Sequence, residues 1–357
     1  MLYIDTSRFA NTGHKTGVEN YSHFLITELV KKHADEITLI SPRKVKLEAK
    51  QIIIPFPRLW TLIRLSWEIL RNREIDNLFV PSHVLPLVHP KNSTITIHDV
   101  VFKYSPESYG LFSRLYLDWA AKFAVKHAKN IVVPSEATKK DLIKFYRAPT
   151  EKIHVIPLGF EAPEIDLKPA EEKQTLKRYH LETGKYFLYI GRIEYKKNTD
   201  TLIKAFEKFA EDNKDIRLAL VGFPGHGGKR IIEMIPKHLK ERIVLTGYLN
   251  GLEKEALLRN CLAFVFPSRF EGFGIPLLEA MHAKAPVIAS DIPTSREIMG
   301  ETAWFFEKDN AGKLAEIMLE MNKKMASGKE IEAKYEKILK NYNWGLHAEK
   351  IYSIITH

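Results

Sequence analysis

The 357-residue chain holds a single cysteine, Cys261. One thiol excludes an internal disulfide and any cysteine-rich metal site, so Cys261 is expected to be a small core residue. No apolar run approaches the roughly 20 residues that a bilayer crossing requires. The opening MLYIDTSRFA lacks the basic, apolar and small-residue succession of a secretory signal, and a cytoplasmic location is therefore expected. Asp-x-Asp is absent, which removes the usual acidic pair that clamps a metal against a nucleoside diphosphate. The glycines of GFPGHGGKR miss the P-loop spacing to Lys229, and no Ser or Thr follows that lysine. They do not supply G-x-G-x-x-G either. Neither a metal nor a nicotinamide cofactor is expected.

What is present is an ordinary globular composition, with 45% hydrophobic and 27% charged residues. The length points to two domains. Net charge is +10 and unevenly spread: residues 1–180 carry 27 Lys+Arg against 20 Asp+Glu, the remainder 27 against 24. A basic first half suits an anionic partner such as a nucleotide, a phosphorylated lipid carrier or a membrane surface. Nucleic acid is not expected, because no basic cluster interleaved with aromatics accompanies the charge. Within RLWTLIRLSWEILRNR, Trp60, Ile63, Trp67 and Leu70 fall at helical spacing. A buried amphipathic helix is the favoured reading, and a helix lying on a membrane is the alternative.

Apolar, β-branched runs alternate with helical stretches along the whole chain. LYID, ITLIS, NLFVP, STITIH, NIVVPS and IHVIP read as buried strands in the first half; YFLYIG, RLALVG, RIVLTG, AFVFPS and PVIAS repeat the style in the second. Between them lie helical patterns such as TLIKAFEKFA, with Leu202, Ile203, Phe206, Phe209 and Ala210 on one face. The order implies two α/β domains, each a doubly wound, Rossmann-like parallel sheet, facing a central cleft. The boundary is expected in the proline- and acid-rich PLGFEAPEIDLKPAEEKQ, giving domains 1–160 and 161–342. The helical segment 343–357 would return to the first of them.

Two strand-to-helix turns carry the candidate chemistry. In YIGRIEYKKNTDTLIKAF, a strand ends at Gly191 and a helix begins near Thr199, with Asn198 or Thr199 as cap. Arg192 and Lys197 bracket a turn whose N–H groups and helix dipole already favour an anion, which suits a diphosphate. In FPSRFEGFGIPLLEAM, the glycines let the backbone approach a ligand, so the N–H groups of Gly272, Phe273 and Gly274 can reach a polar group. Glu271 precedes them, and Glu279 lies about one turn into the next helix. Carboxylates there suit hydroxyl pairs of a sugar ring or a ribose. Gly17 in TGVENY follows the first strand. His98 and Asp99 end a strand in TIHDV, where an α/β sheet places its ligands.

With these residues assembled, the chain resembles the family 4 retaining glycosyltransferases of the two-domain GT-B fold, and within them a mannosyltransferase-like subgroup. The resemblance runs through TGVENY, TIHDV, VVPSEATKKDL, VIPLG, YIGRIEYKKNTDTLIKAF, LTGY, FPSRFEGFGIPLLEAM and PVIASD. It implies that Arg192 and Lys197 bind the donor diphosphate. Glu271, with Gly272, Phe273, Gly274 and Ile275, would contact the donor sugar, and Glu279 the ribose. His98 would stand beside the reacting end of the sugar, with Asp99 next to it. Gly17 would lie against the phosphates and Tyr248 near the base. His98, Glu271, Arg192 and Lys197 are the residues expected to carry catalysis.

The implied reaction moves a hexose, mannose favoured, from a nucleotide sugar to a saccharide or polyprenyl-linked acceptor in surface-polysaccharide synthesis. It would proceed with retention and without a metal. GDP-mannose is the favoured donor, with dTDP-rhamnose and UDP-sugars as alternatives. The enzyme would be cytoplasmic, with peripheral contact at the inner membrane face. A non-catalytic nucleotide-sugar sensor and a nucleotide-sugar epimerase of similar shape are the rival readings.

Overall fold

The computed structural model describes residues 1–10, 17–56, 59–163, 165–323 and 328–357. The chain divides into two compact units. The first comprises Met1–Tyr104, Gly110–Glu161 and Tyr342–His357; the second comprises Ser105–Tyr109 and Ala162–Asn341.

In the first unit, β1 (Leu2–Asp5), β2 (Ile37–Ser41), β3 (Lys50–Ile53), β4 (Asn77–Val80), β5 (Asn92–Thr96), β6 (Asn130–Val133) and β7 (Ile153–Val155) form one parallel sheet, ordered β3-β2-β1-β4-β5-β6-β7. In the second, β8 (Tyr186–Ile190), β9 (Arg217–Val221), β10 (Ile243–Gly247), β11 (Ala263–Phe266), β12 (Val287–Ser290) and β13 (Trp304–Phe306) form another, ordered β10-β9-β8-β11-β12-β13. Both are doubly wound, as their strand-helix alternation requires. Chain order reverses between β1 and β4 in one sheet and between β8 and β11 in the other. Ligands of such sheets bind at these reversals, beyond the carboxyl ends of the strands.

The central strands are buried on both faces, which is why they read as unbroken apolar runs. Phe187 and Leu188 of β8 lie in register with Ala263 and Phe264 of β11, and all four are fully buried. The helix Thr199–Ala210 covers this sheet with the face expected from its spacing: Leu202, Ile203, Phe206, Phe209 and Ala210 are all buried. Phe209 meets Phe187 edge-on at 5.3 Å. Cys261 is a buried free thiol.

The final helix, Trp344–Thr356, belongs to the first unit. Trp344 stacks on Phe24 at 5.6 Å, and the Asn343 side chain caps the helix by accepting from the Leu346 N–H at 3.0 Å. Gly159 fits under the Trp344 ring, where a Cβ would come within 2.3 Å of the indole.

Three features depart from the sequence expectations. Strands β3 and β13 do not stand out in the sequence, and both are sheet edges. Lys50–Ile53 is half-exposed and Trp304–Phe306 is only three residues long, so neither shows a doubly buried run. The favoured burial of the Trp60–Leu70 stripe is corrected. Trp60 is buried and its indole N–H donates to the Ile54 carbonyl at 2.8 Å, but Ile63, Trp67 and Leu70 are each about half exposed. A π-helical turn, Trp60–Leu65, leads into the helix Ser66–Arg71 there and changes the facing of the stripe.

Candidate functional site

In the second unit, the turn after β8 carries Arg192 and Lys197, and the turn after β11 carries Glu271. These two strands flank the reversal of chain order. The Lys197 ammonium donates to Glu271 Oε1 at 2.5 Å, and the Ser268 hydroxyl donates to the same oxygen at 2.7 Å. Both side chains of the ion pair are largely covered, whereas Arg192 is exposed. Tyr189, buried in β8, props the turn by donating its hydroxyl to the Arg192 carbonyl at 2.6 Å.

The Gly-rich segment after β9 supports this turn by backbone packing. Gly225 N–H donates to the Ile193 carbonyl at 2.9 Å, and Ile193 N–H to the Phe223 carbonyl at 3.1 Å. A Cβ on Gly222 would stand 2.1 Å from the Gly191 carbonyl oxygen, and one on Gly228 would stand 2.2 Å from the Ile193 oxygen. Backbone atoms cannot yield as a flexible side chain does. Gly228→Ala is therefore expected to lower stability by about 1–3 kcal/mol, the usual cost of overpacking, in a chemical denaturation of the variant against the parent.

Asn198 precedes the helix Thr199–Ala210, but not as the side-chain cap expected for Asn198 or Thr199. Its φ of 59° places it in the left-handed region, and its side chain makes no capping bond. Its carbonyl instead accepts the Leu202 N–H at 3.2 Å. The Asn198 amide and the Thr199 hydroxyl are buried without a protein hydrogen-bond partner among the described residues.

Four further residues brace the site, and spacing alone does not mark them. Arg269, between Ser268 and Glu271, is buried and forms a two-pronged pair with Asp200 at 2.8 and 2.9 Å. It also bonds the Tyr195 carbonyl and the Asp309 carboxylate, and its own N–H reaches the Lys196 carbonyl at 2.9 Å. One guanidinium thus ties the Lys197 turn to the Glu271 turn. Lys254, on the helix Gly251–Asn260, donates to Glu279 Oε1 at 2.6 Å. Glu279 sits on the helix Ile275–His282, which begins after Gly274 and carries Pro276 in its first turn. Gly272, Phe273 and Gly274 are buried, Ile275 is partly covered, and Tyr248 after β10 is 65% exposed.

The first unit holds the remaining candidates. Gly17 opens the helix Gly17–His33 after β1, and a Cβ there would meet nothing within 4 Å; Thr16, its partner in the motif, lies outside the described residues. His98 and Asp99 follow β5. The His98 imidazole lies edge-on to Tyr21 at 4.7 Å and hydrogen-bonds the Pro81 carbonyl. Its Nε2 is buried with no protein partner among the described residues. Burial, then the neighbouring His83, lowers the His98 pKa to about 4, against the opposing pull of Asp99. The ring is neutral at pH 7.

That shift has a sign. An unfolded histidine takes up its proton near pH 6.5, but the folded His98 resists it down to about 4. Its stabilising contribution is complete above the unfolded value and is lost as pH falls through this window. Melting temperature should therefore fall between pH 6.5 and 4, and less steeply in His98→Gln. His83, Asp99 and Arg8 face the same ring electrostatically and remain in both proteins.

Among the described residues no group of three or more His, Cys, Asp or Glu is placed to hold a metal ion, and no helix is long and apolar enough to cross a membrane.

Comparison with known proteins matches these two units to two family models. Residues 15–162 match Glycosyltransferase Family 4, and residues 171–338 match Glycosyl transferases group 1. O-antigen chain mannosyltransferase B of Escherichia coli is 25% identical over 75% of this chain and 69% of its own length. O-antigen chain mannosyltransferase RfbU of Salmonella typhimurium is 29% identical over 64% of this chain and 60% of its own length. Among solved structures, HepE of Anabaena in complex with UDP-glucose superposes with a TM-score of 0.75 at 15% identity, covering 99% of both chains. WaaG, a glycosyltransferase involved in lipopolysaccharide biosynthesis, does so at 0.72 and 14% identity, covering 100% of both. At such identities the structures speak for fold alone. Two doubly wound sheets, and family models spanning most of the sequence, lead to one conclusion: the chain belongs to the family 4 glycosyltransferases and has the GT-B fold.

Proposed function

We propose that this glycosyltransferase moves a hexose, mannose favoured, from a nucleotide sugar to a saccharide or polyprenyl-linked saccharide. The second unit binds the donor, and the acceptor is presented at the inner membrane face during surface-polysaccharide synthesis. The observation that carries the reading is the Lys197–Glu271 pair, set where the chain order of the second sheet reverses. The O-antigen mannosyltransferases among the relatives support the sugar and the pathway class. GDP-mannose is accordingly the first donor to test, ahead of UDP-sugars and dTDP-rhamnose.

The parts fit the chemistry in sequence. The bond that breaks joins the anomeric carbon to a diphosphate oxygen, so positive charge builds on the sugar and negative charge on the leaving group. Lys197 spends one of its three N–H donors on Glu271, which leaves two for phosphate oxygens. Arg192, exposed on the same turn, adds a second cation. Lys197 and Ser268 both address Oε1 of Glu271, so Oε2 is the oxygen that accepts a sugar hydroxyl. Glu279, oriented by Lys254, holds the ribose. The acceptor oxygen bonds to the anomeric carbon on the face the diphosphate leaves, and its proton passes to that diphosphate. Configuration is thereby retained. No step requires a metal, and Glu271 serves as a hydroxyl ligand rather than a covalent nucleophile. His98, neutral at pH 7, offers Nε2 as an uncharged acceptor in the first unit.

The test is a panel of nucleotide sugars with lipid-linked and free saccharide acceptors, assayed with and without a chelator, with the anomeric configuration read by NMR. Acceptor-dependent nucleoside diphosphate release that survives chelation, with a retained anomer, is the expected result. Donor binding without turnover on every acceptor would favour the sensor, and donor interconversion without acceptor the epimerase.

A further inference from the structure

We propose that the first unit docks on an anionic lipid bilayer through an apolar face built by the helix Leu111–His127, the Trp60–Arg71 segment and the Leu87–Val88 turn. The helix Leu111–His127 turns Ala120, Ala121, Ala124 and Val125 to the core. Its opposite side exposes Leu111, Phe112, Leu115, Tyr116 and Trp119, with Phe112 87% accessible. A helix that packs its alanines inward and its largest apolar side chains outward is inverted relative to an ordinary surface helix. Ile63, Trp67 and Leu70 do the same on the Trp60–Arg71 segment, and Leu87 and Val88 are exposed between them.

These pieces form one surface. Val88 N–H donates to the Ser66 hydroxyl at 3.2 Å, joining the turn to the Trp60–Arg71 segment. His89 lies edge-on to Phe123 at 6.0 Å, and Phe123 stacks on Trp119 at 5.5 Å, joining the turn to the long helix. A contiguous patch of this kind marks an interaction site.

Charge selects the occupant. The two helical segments carry Arg64, Arg71, Arg114, Lys122 and Lys126 against only Glu68 and Asp118. Both acids are already engaged: Glu68 pairs with Arg64 at 3.0 Å, and Asp118 pairs with Lys103 and accepts the Tyr146 hydroxyl at 2.7 Å. Lys122 and Lys126 continue the Leu115–Trp119 stripe at helical spacing and are exposed, so their heads can reach phosphate groups while their stems cover apolar surface. A second copy of the chain would set cation against cation, whereas anionic headgroups neutralise them. Trp and Tyr beside such cations suit the boundary between headgroups and acyl chains.

The face also adjoins the reversal point of the first sheet, since Thr61 on the same segment donates to the Asp5 carboxylate at the end of β1, at 3.0 Å. Delivery of a lipid-borne acceptor to that place rests on the proposed transferase reading. The docking itself does not.

The experiment is flotation of the full chain with vesicles of phosphatidylcholine alone and of phosphatidylcholine mixed with phosphatidylglycerol, at low and high salt, for the parent and for Trp67→Glu/Trp119→Glu. The parent should float with the anionic vesicles at low salt, and the double variant should bind about tenfold or more weakly. Both should melt alike and transfer sugar equally to a water-soluble acceptor, because neither tryptophan belongs to the reacting site. A parent that does not float, or a double variant that floats as well as the parent, overturns the proposal. So does concentration-dependent dimerisation abolished by the double variant without any vesicle binding, which would assign the face to self-association. Loss of transfer in the parent with flotation intact would instead count against the transferase reading alone.

Discussion

Replacing Lys197 by methionine is expected to lower kcat for sugar transfer by about 10²–10³-fold, the usual cost of removing one preorganised charge donor from a developing anion. Methionine keeps an unbranched apolar stem, so the turn should keep its shape. What disappears is the ammonium that donates to Glu271 and that the proposed reading sets against the diphosphate. Loss of stabilisation found only in the transition state lowers kcat and kcat/KM together; loss of simple phosphate binding raises KM with kcat intact. Lys197→Met should show both losses, a lower kcat and a higher donor KM, because the proposed ammonium contact addresses the diphosphate before and during its departure. Because Lys197 and Glu271 act as one unit, combining Lys197→Met with Glu271→Gln should cost little more than either alone. Lys197→Arg should recover only part of the rate, since a planar fork cannot reproduce the ammonium bond geometry.

The second large effect is expected at Asp200. Asp200→Ala removes the two-pronged partner of the buried Arg269 guanidinium and leaves it Asp309 alone as a carboxylate partner among the described residues, a loss of charged hydrogen bonds expected to cost about 1.5–3 kcal/mol. The damage should also reach the donor. The Arg269 guanidinium holds the Tyr195 carbonyl, so its displacement loosens the turn that carries Lys197. Chemical denaturation should show the stability loss, and steady-state kinetics below the unfolding midpoint should show a raised donor KM. Asp200→Glu, which keeps the charge, should recover part of both.

Neither bracing pair is visible in the sequence, and the reason is separation. Arg269 and Asp200 are 69 residues apart, and Lys197 and Glu271 are 74 apart, so spacing locates each turn without revealing that one donates to the other. The turns themselves were legible, because each couples a doubly buried strand to a helix start. The central strands were equally plain: LYID and AFVF have no exposed face, whereas the edge strands Lys50–Ile53 and Trp304–Phe306 lack that mark. Periodicity showed that Ile63, Trp67 and Leu70 share a side. It did not show which way that side turns, since a core face and a membrane face have the same pattern. Lys254 was missed because a lysine within NGLEKEALLRN looks like any solvated helix residue until the fold brings Glu279 to it.

Calorimetric titration of the parent and of Lys197→Met and Arg192→Ala with guanosine, uridine and thymidine diphosphates tests the assignment of the second unit most directly. The parent should bind one of the three clearly, and each variant should bind that same nucleotide about tenfold or more weakly, with the loss shrinking as salt rises. Equal affinity in the parent and both variants would contradict the account.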